Sequence, residues 1–361
     1  MKVLVTGHLG YIGPHVVELL LEQGHYVKGI DLNVFEGSSF TSLTLPDENL
    51  IDDISNMTES DLEGFDAVIH LAGISNDPLG AFAPELTWRV NLEGTVRLAE
   101  LAKRAGVPRF LFSSSCSIYG KSGDKVITEL DNIAPVTDYG HTKIEVERRL
   151  SQLADRSFSP TYLRNATAYG ISPRLRLDLV LNNLCAWAYA TGDIRIVSDG
   201  TPWRPLVHCR DIARTFVHLV QAPRDKVHDE AFNVGSNEEN FQVRDLVDVV
   251  LQTVPGSRAV YTGQGSEDSR DYRVDFTKLA TTFPDFSMRY TVRTGAAELI
   301  EAFDRHGLTE EQINGPQFVR LRSLKEHFGE YGELASELPT LSSRAEPALN
   351  MHAVPMLPHV R

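Results

Sequence analysis

Thr6-Gly7-His8-Leu9-Gly10-Tyr11-Ile12-Gly13 is the stretch that decides how this chain folds. Before it, Lys2 to Val5 is a short apolar run of the kind that forms a buried strand. After it, Pro14-His15-Val16-Val17-Glu18-Leu19-Leu20-Leu21 has helical periodicity and stops at Gly24. A glycine turn between strand and helix lets backbone N–H groups and a helix N-terminus close on a pyrophosphate, because no Cβ stands between them. Pro14 agrees, since proline is tolerated in a helix's first turn. A second strand, Val27-Lys28-Gly29-Ile30-Asp31, ends on an acid 18 residues after Gly13. A carboxylate there accepts both hydroxyls of an adenosine ribose and repels a 2′-phosphate. Leu32 and Asn33 supply no arginine, so the expected cofactor is NAD rather than NADP. A glycine triplet alone would also fit an unliganded tight turn; its setting between strand, helix and acid-tipped strand gives it meaning.

The bulk composition bounds the rest. With 361 residues, 42% hydrophobic and 23% charged, the chain can hold one large or two modest domains. A net charge of −14, from 35 basic and 49 acidic residues, argues against nucleic acid or an anionic membrane as partner. No apolar run approaches the ~20 residues of a membrane span. The first strand begins at the N-terminus, so no signal peptide is expected. Three cysteines (Cys116, Cys185, Cys209) without metal-like spacing fit a reducing cytoplasm and no metal.

Strands and helices then alternate. Leu50 to Ile54 reads as a short strand, Ala67 to Ala72 as a buried one, and Thr87 to Ala105 as a helix closed by Gly106. Arg109 to Ser114 is the next strand, Tyr139 to Ala154 a helix, and Pro160 to Arg164 a further strand. This order predicts an α/β fold, a Rossmann-type doubly wound parallel sheet with ligands at the carboxyl ends of its strands. From about residue 165 the pattern loosens into a smaller substrate-binding α/β region. There Leu177, Val180, Leu181, Leu184 and Ala188 recur at helical core spacing, and Gln242–Val254 and Thr294–His306 read as helices. The division expected is an NAD-binding domain over 1–165, a substrate-binding region over 166–310, and a C-terminal helix and tail over 311–361. Pro339, Pro347, Pro355 and Pro358 break up the tail.

The chemistry lies at one strand end. Phe112-Ser113-Ser114-Ser115 delivers hydroxyls to the carboxyl edge of the sheet, and 24 residues past Ser115 comes Tyr139-Gly140-His141-Thr142-Lys143. A helix puts Tyr139 and Lys143, at i and i+4, on one face. The pair alone would suit a solvated helix face; behind a nucleotide-binding half and a Ser-tipped strand it suits a catalytic site. A tyrosine removes a hydroxyl proton at neutral pH only if its pKa, near 10 when free, falls by ~3 units, which is ~4 kcal/mol and within reach of two nearby cations. Ser115 would donate to the developing oxyanion.

Taken together, Thr6-Gly7-x2-Gly10-x2-Gly13, His70-Leu71-Ala72-Gly73, Ser113-Ser114-Ser115 with Ile118-Tyr119-Gly120, and Tyr139-x3-Lys143 resemble the extended short-chain dehydrogenase/reductase family. Within it the chain is most similar to the nucleotide-sugar epimerases and dehydratases, the UDP-glucose 4-epimerase-like enzymes among them. The resemblance covers residue 1 to roughly 305. It implies a cofactor site of Gly7, Gly10, Tyr11, Ile12, Gly13, Asp31, Asp53, Ile54, Leu71 and Ala72, with Lys143 on the nicotinamide ribose beside Tyr139. It implies a structural role for Asn91. Arg164-Asn165 with Tyr169-Gly170 resembles the segment whose asparagine, here Asn165, touches the substrate's diphosphate. Asp199-Gly200-Thr201-Pro202-Trp203-Arg204 with Val207-His208 and Asp211 resembles a stretch whose arginine, here Arg204, binds the pyrophosphate. Arg270 falls where a second phosphate-binding arginine occurs, and Arg174 and Arg176 are weaker candidates. Arginine suits these roles because its planar fork bonds phosphate oxygens in pairs. His70 and His208 are expected to be structural.

The dehydratases of this group carry an Asp-Glu pair after the catalytic Ser/Thr; here Cys116 and Ser117 stand there, and the decarboxylases, with Glu at the second position, are disfavoured on the same ground. The 3,5-epimerases place a cysteine where this chain has Ser117, so only a one-residue loop shift would bring Cys116 into that role. The expectation is therefore a nucleotide-sugar epimerase, at C4, using Ser115, Tyr139 and Lys143 with a retained NAD, and with Ser117 lining the substrate pocket. A 3,5-epimerase, a keto-sugar reductase or dehydrogenase, and a non-catalytic NAD-binding regulator remain as alternatives. The loop Ser75 to Pro84 is distinctive but does not translate into a sugar. The family's usual homodimer, through helices near Asn91–Ala105 and Tyr139–Ala154, is expected because Ile144, Val146, Leu150 and Leu153 exceed one core-facing stripe.

Overall fold

Alternation along each central strand builds the core. In the Lys2–Thr6 strand, Val3 and Val5 point to one face of the sheet, against Val16, Val17 and Leu20 of the Gly13–Glu22 helix and Ile212 and Phe216 of the Cys209–Gln221 helix. Leu4 points to the other face, against Leu98 and Ala102 of the Thr95–Arg104 helix and Leu150 of the Asp138–Leu153 helix. Ile69 and Val68 divide in the same way, as do Leu111 and its neighbours Phe110 and Phe112. The apolar runs are thus strands buried on both faces, as a parallel sheet covered by helices requires. The computed structural model describes residues 1–75, 83–196, 198–261 and 270–328. Most of the Ser75–Pro84 loop and the tail beyond 328 lie outside the described residues.

The central sheet has seven strands, in the order Glu230–Val234, Ser159–Asn165, Arg109–Ser115, Ala67–His70, Lys2–Thr6, Tyr26–Asp31, Glu48–Ile51, all parallel. Its order reverses beside the first strand, the place where such sheets open a crevice at their carboxyl ends. The register brings those ends level: Thr6 pairs with His70 and Ser115 with Asn165. One edge strand, Glu230–Val234, comes from within the segment 166–310, so the sheet takes a strand from beyond residue 165.

A second apolar core is built by the segment beyond residue 165. Leu177, Leu181 and Leu184 pack with Leu246 and Val250 of the Val243–Thr253 helix and with Leu299 and Phe303 of the Val292–His306 helix. Leu308, Ile313 and Phe318 carry the chain across the same core. Short parallel pairs, Thr167–Tyr169 with Trp203–His208 and Asp271–Val274 with Lys121–Ile127, lock this region onto the sheet.

Two readings of the sequence need correcting. The strand expected over Leu50–Ile54 is Glu48–Ile51, and Asp53 instead caps the short 3₁₀ turn Ile54–Asn56 by accepting from Ser55 N at 2.7 Å. The helix expected over Thr87–Ala105 begins at Pro84 and contains a π turn, Arg89–Gly94. Within that turn Asn91 clamps the backbone of Ile74, its Oδ1 accepting from the N–H at 2.8 Å and its Nδ2 donating to the carbonyl at 3.0 Å. In the Asp138–Leu153 helix Val146 and Leu150 are buried, while Ile144 and Leu153 are partly buried.

The glycine turn allows no side chain. Gly7 has φ +71°, and a Cβ on it would lie 2.6 Å from Ala72 N; on Gly13 it would lie 2.4 Å from the Gly7 carbonyl oxygen. Gly7→Ala is expected to destabilise the protein by about 2 kcal/mol or more, combining left-handed backbone strain with the backbone clash. Urea unfolding of the cofactor-free chain measures it.

Candidate active site

A single cleft of about 1110 Å³ runs along the carboxyl edge of the sheet. The glycine-turn residues, Asp31, Asp53, Ile54, Leu71 and Ala72 line one end of it. Ser115, Ser117, Tyr139, Lys143, Asn165, Arg204 and Arg270 line the other. Of the weaker candidates Arg176 also lines this cavity and Arg174 does not.

At the glycine end the Gly13–Glu22 helix starts from Ile12 without a side-chain cap, with Pro14 in its first turn. Its N-terminus is therefore open to an anion, and the turn before it comes as close to a ligand as backbone can. The Asp31 carboxylate is held in place by the N–H groups of Leu9 (3.0 Å) and Asn33 (2.8 Å). These features fit a dinucleotide. The glycine cradle is shaped for a diphosphate and the Asp31 carboxylate is placed for a ribose.

At the other end the Asp138–Leu153 helix is fixed at its start by Thr137, whose hydroxyl accepts from Gly140 N at 3.1 Å. The helix presents Tyr139, Lys143 and Glu147 one turn apart. Lys143 Nζ donates to the Ser113 carbonyl at 2.7 Å and lies over the rings of Phe112 and Tyr139. Burial pushes its ammonium down to about 7, with the Glu147 carboxylate acting in the opposite sense. Glu147 accepts from Ser114 Oγ at 2.5 Å and pairs with Arg164 at 2.7 Å, a buried network behind the strand end. Ser115 Oγ accepts from Ser117 N and donates to Ser117 Oγ, both at 3.1 Å, and Arg270 reaches Ser117 Oγ at 3.4 Å.

The remaining candidates separate clearly. Cys116 does not line the cleft: it is fully buried, donates to the Arg164 carbonyl at 3.1 Å, and burial raises its thiol pKa well above the usual value. His70 sits between Thr6 Oγ1 (2.6 Å) and Thr95 Oγ1 (2.8 Å), driven to about 3 by burial, and His208 pairs with Glu298 and stacks on Tyr290. Asn165 spends its amide N–H groups on Ser113 Oγ and the Ser114 carbonyl, leaving Oδ1 buried without a partner. In this rotamer it offers a ligand an acceptor, whereas a diphosphate needs a donor. Arg204 is buried and donates to the carbonyls of Trp203 and Arg270.

Two cleft arginines carry little or no signal in the sequence. Arg176 is paired with Asp178 at 2.8 Å, donates to Ser75 Oγ at 3.1 Å, and interacts electrostatically with Tyr139. Arg320 comes from the segment read only as a C-terminal helix and tail. No local motif marks it, since its position depends on how the chain returns over the second core.

A Rossmann-type sheet with Ser115, Tyr139 and Lys143 at one end of its cleft and a glycine cradle at the other defines a short-chain dehydrogenase/reductase-like protein. Residues 3–235 match the model of the NAD dependent epimerase/dehydratase family, and the chain belongs to that family. NAD is accordingly its cofactor. The chain is 29% identical over 290 residues to UDP-glucose 4-epimerase of Bacillus subtilis, spanning 72% of this chain and 84% of that enzyme. Among solved structures it is similar to MoeE5 in complex with UDP-glucuronic acid and NAD, with TM-score 0.73 and 29% identity over 84% of this chain and 99% of that one. UDP-glucuronic acid 4-epimerase from Bacillus cereus shares the fold, with TM-score 0.75 and 24% identity over 84% and 99% of the two chains. Among the described residues no helix is long and apolar enough to cross a membrane, and no cluster of ligating side chains could hold a metal.

The buried lysine makes stability depend on pH. Its folded pKa of about 7 lies below the unfolded value near 10.5, so the unfolded chain binds the extra proton in that window and stability rises with pH across it. Cofactor-free Lys143→Met is expected to exceed the wild type in stability by on the order of a few kcal/mol at pH 7. The gap should close toward pH 10.5. Denaturant titrations at several pH values measure it, and a gap independent of pH contradicts it.

Proposed function

We propose that the protein is an NAD-dependent 4-epimerase of a UDP-hexose. The observation that carries this reading is the composition of the wall beside Ser115. Ser117 faces the cleft there and Cys116 is turned into the core, so the positions that would supply an eliminating acid–base pair, or the cysteine of a 3,5-epimerase, hold neither. UDP as the nucleotide rests on the epimerases to which the chain is similar, and Arg204 and Arg270 supply the cations for its diphosphate.

The minimal chemistry is proton movement at one oxygen. Tyr139 takes the proton of the sugar's 4-hydroxyl and later returns it, and Ser115 donates a hydrogen bond to the same oxygen. Lys143 holds the Tyr139 end of the helix against the strand and supplies positive charge to the phenol. NAD, when bound, supplies the two-electron acceptor and donor that oxidation and re-reduction require. The nucleoside diphosphate stays anchored by the arginines while the keto sugar turns over between the two proton transfers. Net redox is zero, so the cofactor need not leave.

Incubated with a panel of UDP-sugars and no added cofactor, the protein is expected to give an equilibrium mixture of two C4 epimers. Tyr139→Phe should lower turnover on the order of 10²–10⁴-fold while nucleotide binding is retained. In D₂O no deuterium should enter carbon 3 or carbon 5, since no enolisation is involved. Deuterium at either carbon would replace this reading with 3,5-epimerisation, and a requirement for stoichiometric NAD(H) would replace it with a net reductase or dehydrogenase.

A further inference from the structure

The chain beyond residue 306 does more than finish the second core. Phe318 packs edge-on against Phe40, and its carbonyl accepts from Leu177 N at 2.8 Å. The Arg320–Phe328 helix that follows lies against the cleft, where Leu324 packs with Leu86 and near Val34 and Phe35. Arg320 and Leu324 both line the cavity that holds the glycine cradle, Asp31 and Tyr139. Arg320 lies outside residues 3–235, the part matched by the family model.

Arg320 is 4% exposed, and its guanidinium stacks over the Phe35 ring at 3.9 Å. It makes one hydrogen bond among the described residues, from Nη2 to the Arg174 carbonyl at 3.3 Å, and Nη1 is buried with no partner. A buried guanidinium so thinly satisfied is costly unless an anion completes it. Among the described residues no carboxylate forms an ion pair with it. Arg320 feels two other guanidinium groups, Arg174 and Arg176, against the carboxylates of Asp178 and Asp31; burial, with Arg176 next, pulls its pKa down to about 9. Asp178 is already paired with Arg176, and Asp31 accepts the Leu9 and Asn33 amides.

Position selects the anion. Arg174, whose carbonyl accepts from Arg320, bonds Asn33 and the Phe35 carbonyl and feels Asp31, the acid placed for the adenosine ribose. Arg176, also close enough to act on Arg320, bonds Ser75 and feels Tyr11 and Tyr139. Between the adenosine ribose and the catalytic tyrosine, a dinucleotide carries its diphosphate. We propose that Arg320 is a ligand of the NAD diphosphate, facing the glycine cradle from the opposite wall, and that the C-terminal segment thereby clasps the cofactor. The proposal rests on NAD as cofactor and is independent of which carbon of the sugar reacts.

Arg320→Met fills the space over Phe35 without the charge, and Arg320→Lys keeps the charge. Calorimetry on stripped full-length protein with NAD⁺ and with NADP⁺ reads the effect. Arg320→Met is expected to weaken NAD⁺ binding tenfold or more and NADP⁺ by the same factor, to melt no lower than the wild type when cofactor-free, and to be largely rescued in Arg320→Lys. NAD⁺ affinity within twofold of the wild type overturns the proposal. A loss confined to NADP⁺ overturns it in favour of a 2′-phosphate contact. Failure of Arg320→Met to fold, or a lowered melting temperature of its cofactor-free form, overturns it in favour of a structural prop.

Discussion

The bond from Lys143 Nζ to the Ser113 carbonyl is the contact on which the site depends. It ties a helix that crosses one face of the sheet to the end of a central strand, and the residues proposed for proton transfer are arranged around that tie. Tyr139 lies one helical turn before it, Ser115 two residues beyond it on the strand, and Glu147 one turn after it. Glu147 in turn holds Ser114 and Arg164, so the stripe Tyr139-Lys143-Glu147 is docked at successive points along two adjacent strands. A four-residue spacing repeated twice is what a helix needs to keep three side chains aimed at one edge. The ammonium is desolvated there, which makes it a responsive charge: bound negative charge nearby raises its proton affinity, and isolation lowers it.

The electrostatics run against the molecule's overall sign. The chain carries a net charge of −14, yet the cleft collects Lys143, Arg176, Arg204, Arg270 and Arg320. Each is anchored by a carbonyl, a carboxylate or a hydroxyl of the surrounding wall. Such a cleft attracts diphosphates locally, while the acidic exterior discourages polyanions. The distribution suits an enzyme that handles two diphosphates, one on its cofactor and one on its substrate.

How much of this was legible in the sequence follows from how local each signal is. The glycine turn, the acid-tipped second strand, and Tyr139 with Lys143 are short-range patterns whose geometry is set by one strand or one helix, and all of them reach the cleft. The π turn at Arg89–Gly94 escaped because apolar periodicity does not register a single inserted residue; within it Asn91 bonds Ile74, 17 residues away in sequence. The edge strand Glu230–Val234 was missed because its partner, Ser159–Asn165, is remote in sequence. Arg320 was invisible for the same reason, since only the return of the chain over the second core brings it to the cofactor end. Of the apolar residues of the Asp138–Leu153 helix, Val146 and Leu150 are buried in the chain's own core and Ile144 and Leu153 only partly so, a division that apolar periodicity does not resolve.

On the proposed function, the Lys143 tie sets the acid–base behaviour of Tyr139. The most direct measurement is the pH dependence of kcat/KM for wild type and Lys143→Met, with NAD⁺ saturating. The account predicts a limb near neutral pH for the wild type and its displacement upward by a unit or more in the variant, as an unassisted phenol requires. An unmoved limb in a variant that still binds NAD⁺ and turns over would contradict it.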